Sequence, residues 1–171
     1  YIQEYRDLLR QRPDYTGSDD TVLLTLKQQA HDCLHRTACK PAFRDFLYKL
    51  TWSQGQYGVL HYKHHFLNTY ANAMISTPAC PLEVGLFYMT THCTYPYHTH
   101  VEKELYYVMH GCVRFSNDED VMHVEHEGGY HYNMPNSPHK MQVISEHGAL
   151  LLWFREKGTR TQEENDRYGP C

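Results

Sequence analysis

Two histidines, a glutamate and a tyrosine stand close together in the stretch Tyr95-Pro-Tyr-His98-Thr-His100-Val-Glu-Lys-Glu104-Leu-Tyr106. On a strand, His98 and His100 point to the same face, because side chains alternate with period two. Glu104 follows a short turn, and Tyr106, two residues on, shares its face. Two imidazoles and a carboxylate converging from adjacent strands make a donor set of intermediate hardness, suited to Zn, Fe, Mn, Co or Ni. Gly111 comes after six intervening residues, where a tight turn would end the strand. Downstream, Gly129, Pro135 and His139 follow in order, and His139 supplies a fourth candidate ligand at the start of another strand. His131, on the preceding strand, is the fallback for that place.

The composition agrees with metal or proton-transfer chemistry. Fourteen His nearly equal the 16 Lys and Arg of this 171-residue chain, and protonating all of them would move the net charge from −4 to +10. Fifteen Tyr form a second excess. Net acidity and the lack of a basic stripe argue against a nucleic-acid partner. The longest apolar run, 149–154, is a strand's length and far short of a membrane span. No apolar signal region is present, which points to the cytoplasm, with the periplasm the alternative if a leader has been removed. Six cysteines without a C-x-x-C pair read as small buried thiols of a reducing compartment.

The elements that must position these residues divide the chain in three. Residues 1–76 read as a helical N-terminal extension. Helices are expected at 2–10, from the capping residues Ser18, Asp19 and Asp20 to His35, and after Pro41, where Phe43, Phe46, Leu47 and Leu50 form an apolar stripe. A fourth is expected over 59–74, with the basic cluster His61, Lys63, His64 and His65 as a solvated face. Residues 77–156 alternate and are rich in β-formers, with strands expected at 83–92, 104–115, 121–127, 129–134, 140–145 and 149–156. Several short strands at close spacing argue a small antiparallel barrel or sandwich. Residues 157–171 read as a polar surface tail. The fold class is therefore mainly β, with helices ahead of the barrel.

The pattern H-x-H-x3-E-x6-G, carried by His98, His100, Glu104 and Gly111, followed by Gly129, Pro135 and His139, resembles the two motifs of the cupin superfamily. That resemblance implies a double-stranded β-helix, or jelly-roll, barrel with a divalent metal inside. The second motif departs from the pattern: Ser137 stands where cupins usually have Gly, and His139 arrives one residue early. Tyr95 three residues before His98, the run Glu104-Leu105-Tyr106 and the leading helices are similar to the cupin-type dimethylsulfoniopropionate lyases. By that resemblance His100, Glu104, Tyr106 and His139 are metal ligands, and His98 is a further ligand or its neighbour. The same resemblance gives the catalytic base as Tyr95 in some members and Tyr106 in others.

The residue types suit that activity. The implied partner is a small zwitterion, whose carboxylate a divalent metal binds while acidifying the adjacent C–H. A tyrosinate base needs its ordinary value near 10 depressed by about 2–3 units, which a nearby divalent cation supplies. A sulfonium group needs aromatic faces, for which Tyr97, Tyr132 and Trp153, and from the helical part Trp52 and Tyr62, are candidates. Another metal-dependent cupin enzyme (an iron dioxygenase or a sugar isomerase) and a non-enzymatic ligand-binding module are the alternatives. Exposed sheet edges would suit a homodimer.

Overall fold

A computed structural model of the chain describes residues 20–53, 69–117 and 121–156. The helix expected at 2–10, the basic cluster at 61–65, Tyr62 and the tail from 157 lie outside the described residues. No helix among the described residues is long and apolar enough to cross a membrane.

Two helices lead. In α1 (Asp20–Arg36), Leu26, Ala30, Cys33 and Leu34 recur at helical spacing and are all buried, so one stripe faces inward. His35 and Arg36 in its last turn complement the negative end of the helix dipole. α2 (Pro41–Tyr48) starts on Pro41, whose missing N–H costs nothing in a first turn. Its expected stripe is narrower than the sequence suggested. Leu47 is fully buried and Leu50 partly, while Phe43 and Phe46 stack on each other in solvent. An eight-residue helix presents only one line of side chains to a flat sheet.

Among the described residues ten strands follow: β1 (Trp52–Ser53), β2 (Tyr70–Met74), β3 (Leu82–Met89), β4 (Thr94–His98), β5 (Glu104–His110), β6 (Cys112–Asn117), β7 (Met122–His126), β8 (Tyr130–Asn133), β9 (His139–Val143) and β10 (Ala149–Glu156). They form a six-stranded sheet, β1-β2-β3-β10-β5-β8, and a four-stranded sheet, β4-β9-β6-β7. Every pairing is antiparallel. Two expectations need correcting. Residues 70–74, expected at the end of a helix, are a strand paired with β3, so the sheet begins ahead of residue 77. Five residues with a long strand available beside them take the sheet conformation whatever their helix propensity. The stretch expected as one strand over 104–115 breaks at Gly111, where the motif spacing placed a tight turn; its φ of +90° and crowded surroundings admit no side chain. That turn moves the chain from one sheet to the other.

Two cores result. Leu26, Ala30, Leu34 and Leu47 pack on the outer face of the six-stranded sheet against Ala73, Leu86, Tyr88 and Leu150. Each fully buried leucine there contributes roughly 1.5–3 kcal/mol. The second core fills the space between the sheets. Phe87, Val108 and Leu151 lie abreast on β3, β5 and β10 and face inward. One step along the strands the row is Gly85, Tyr106 and Trp153, and the next is Glu83, Glu104 and Arg155. The interior is thus apolar at one end and charged at the other.

Candidate metal centre

His98, His100, Glu104 and His139 meet at the charged end, with one donor atom of each within 4.8 Å of the others. The two histidines and the glutamate of the first motif do not come from adjacent strands as the sequence suggested, because β4 and β5 lie in different sheets. His98 ends β4 and lies in register with His139, the first residue of β9, in the four-stranded sheet. Glu104 opens β5 in the other sheet, and His100 sits in the connection between β4 and β5. A register shift between Tyr95 and His98 lets both face inward despite their odd spacing. The histidine rings pack edge to face, with centroids 4.2 Å apart for His98 and His139 and 5.0 Å for His100 and His139.

The ring orientations are fixed from behind. Nδ1 of His100 is 2.9 Å from the Glu102 carbonyl oxygen, and Nδ1 of His139 is 2.8 Å from that of Ser137. A carbonyl only accepts, so each Nδ1 carries the proton and each Nε2 presents a lone pair. Those lone pairs face Glu104 Oε2 at 3.3 Å and 3.5 Å. Nε2 of His139 is buried without a hydrogen-bond partner. Lone pairs converging on a carboxylate oxygen call for a proton or a metal cation among them, and the donor set fits a divalent metal. Asn133 Nδ2 donates to the same Oε2 at 3.1 Å, and the Glu102 carboxylate, 3% exposed as a residue, lies 3.6 Å from His100 Nδ1. Such outer partners orient ligands and tune their basicity.

Burial alone would raise the Glu104 carboxyl, but when no metal is bound His100 and His139, protonated also at the Nε2 atoms that face it, hold it well below the usual range. Both tyrosines are pushed up. Burial and then the Glu104 charge raise Tyr95 and Tyr106, and Tyr106 also spends its hydroxyl proton in a hydrogen bond to Glu104. Tyr95 packs edge-on against His98 at 4.6 Å and against Phe87 at 5.5 Å. His131, the fallback ligand, faces inward but lies outside the four-residue cluster. It stacks on Phe115 at 4.3 Å, and burial followed by His123 and His139 lowers it to about 4.

The aromatic candidates separate. Trp153 faces the interior over Gly85, with Arg155 5.6 Å from its ring centre. Tyr97 and Tyr132 do not reach the centre. Tyr97 is exposed, donates its hydroxyl to the Asn117 carbonyl and carries the Lys140 ammonium over its ring. Tyr132 is 44% exposed because it alternates with inward-facing His131 and Asn133 on β8. Trp52 is buried in the helix-side core. Sequence reasoning missed Asn133, Glu102, Arg155 and Glu83. The signal for Asn133 was its two-residue step from His131, and for Arg155 its two-residue step from Trp153.

The two facing sheets and the inward His/Glu cluster define a cupin. The family model for dimethylsulfoniopropionate lyase matches residues 21–152, and the chain belongs to that family of lyases. No curated protein sequence matches it. Among solved structures, the dimethylsulfoniopropionate lyase DddQ from Ruegeria pomeroyi DSS-3 is 16% identical with a TM-score of 0.62, covering 78% of this chain and 74% of that one. A chain from the crystal structures of the lyases RdDddP and RnDddQII is 22% identical with a TM-score of 0.60, covering 77% and 73%. An RmlC-like cupin from Shewanella frigidimarina NCIMB 400 is 14% identical with a TM-score of 0.51, covering 66% and 87%. At these identities the structures speak for the shared fold.

Proposed function

We propose that the protein cleaves dimethylsulfoniopropionate to dimethyl sulfide and acrylate by a metal-dependent β-elimination. The observation that carries this reading is the convergence of His98, His100, Glu104 and His139 beside the buried Tyr106 and the partly buried Tyr95. These four residues would hold one divalent ion of the Zn, Fe, Mn, Co or Ni group, with Tyr106 against it through Glu104. Bound there, such an ion supplies the positive charge that attracts a carboxylate, acidifies the adjacent C–H and offsets the upward push on the tyrosine hydroxyls.

The chain's own residues do the rest. Tyr106 holds its proton toward Glu104 and keeps that carboxylate oriented, which leaves Tyr95 as the base. Its Oη takes the proton from the carbon next to the substrate carboxylate. The released electron pair forms the carbon–carbon double bond, and the bond from the next carbon to sulfur breaks with its electrons on sulfur. Dimethyl sulfide leaves as a neutral molecule and acrylate remains. Phe87 and Tyr70, packed around Tyr95, keep water from the proton it has taken.

Product analysis tests this reading. Metal-loaded protein given dimethylsulfoniopropionate should release dimethyl sulfide and acrylate in equal amounts without consuming dioxygen. Dioxygen uptake, or turnover of a ketose in place of elimination, would favour another cupin chemistry.

A further inference from the structure

Three of the four clustered residues share one support. It is the segment 133–139, from the end of β8 to the start of β9. Asn133 at its start donates from Nδ2 to Glu104 Oε2 at 3.1 Å. The backbone N–H of Asn136 donates to the His100 carbonyl at 2.8 Å. The Ser137 carbonyl accepts from Nδ1 of His139 at 2.8 Å. Glu104, His100 and His139 are thus braced by seven consecutive residues, the last of which is His139 itself.

The sequence of the segment explains how it can do this. The Ser137 N–H donates to the Met134 carbonyl at 3.2 Å and closes a β-turn over Met134-Pro135-Asn136-Ser137. Pro135 presets the first central position and Asn136 takes the second with φ of +60°, the pairing of a type II turn. That left-handed conformation suits Gly, is tolerated by Asn and Asp, and is an outlier for a β-branched residue. Asn136 is exposed, so its backbone conformation and not packing calls for asparagine. Its N–H has no bond within the turn and is spent on His100. Pro138 then restricts Ser137 to extended backbone, and the Ser137 carbonyl meets His139.

We propose that Asn136 is a positioning residue of the metal centre. Its left-handed backbone ties the connection that carries His100 to the loop that carries His139, and so sets how their two Nε2 atoms stand to each other. The assignment rests on the metal-binding part of the lyase reading and is independent of the substrate.

Wild-type, Asn136→Gly and Asn136→Val proteins are titrated with cobalt(II) in competition with a chelator, and the visible absorption of the bound ion is recorded. The temperature is one at which circular dichroism shows every metal-free protein folded. Asn136→Gly keeps the left-handed conformation open, so its affinity should stay within about threefold of wild type, with the same spectrum. Asn136→Val should open the turn and weaken cobalt(II) binding roughly 10- to 100-fold, the range for groups behind metal ligands, with shifted absorption bands. A turn needed only for folding would lower Tm in Asn136→Val and leave affinity and spectrum at wild type. That result overturns the assignment, as does equal impairment of Asn136→Gly and Asn136→Val. If Asn136→Val fails to fold, Asn136→Ala decides, and its affinity must lie at least about fivefold below that of Asn136→Gly. A wild type that binds no cobalt(II) removes the metal centre and the assignment together. Cobalt(II) binding with the expected order of variants, in a protein that releases no dimethyl sulfide, keeps the assignment and removes the lyase reading.

Discussion

His139 Nε2 stands 3.5 Å from Glu104 Oε2, and the two residues belong to different sheets. A divalent ion held by both residues would tie β9 to β5 and so fasten one end of the barrel. Binding should therefore stabilise the fold by about 2.7 kcal/mol at a hundredfold excess over Kd. For a domain of this size that is a rise in Tm of roughly 5–10 °C. Scanning calorimetry with and without chelator measures it, and His139→Ala should abolish the metal-dependent part. A chelator that strips a stoichiometric metal and leaves Tm unchanged would show that the ion does not bridge the sheets.

The two tyrosines should separate by phenotype. Tyr95→Phe keeps metal content and loses elimination by about 10²–10⁴-fold, the range for removing a positioned base. Tyr106→Phe removes a hydrogen-bond partner of Glu104. It should weaken metal affinity by roughly 10- to 100-fold, in line with other outer partners of ligands. Metal titrations beside turnover rates provide the comparison. Equal metal loss in both variants would contradict the division of roles.

A base acts only when deprotonated. Burial and the Glu104 charge raise the Tyr95 hydroxyl, so its reactive fraction is small at neutral pH and grows about tenfold per pH unit. A bound divalent ion would offset part of that rise, so the kcat/KM of the metal-loaded enzyme should climb with pH from 7 upward and level off where the hydroxyl titrates. A profile that falls over that range would exclude tyrosinate as the base.

Gly85 is fixed by its neighbour and not by its backbone. A Cβ there would lie 2.7–2.8 Å from three atoms of the Trp153 indole. Gly85→Ala should cost about 1–3 kcal/mol in urea unfolding, as overpacked interiors do.

Much of this was legible in advance where local pattern and tertiary demand agree. The helix ending at His35, the 149–156 strand and the Glu104–Tyr106 pair follow from local pattern alone, and the spacing of His98, His100, Glu104 and His139 pointed to one pocket. Other features depend on long-range pairing that no local window contains. Residues 70–74 become a strand because β3 offers an edge, and His98 meets His139, 41 residues further along the chain, through strand pairing. Tyr97 and Tyr132 show the converse: they are close to the ligands in sequence but carried to the outside by alternation. Arg155 escaped notice because its partner Glu83 lies on a flanking strand.

Metal content and dimethyl sulfide release, measured on the same preparations before stripping, after chelation and after reloading, test the central claim most directly. Release should vanish with the metal, return in proportion to its reloading and stay absent in Glu104→Ala. Full release from stripped protein, or none at one metal per chain, would contradict it.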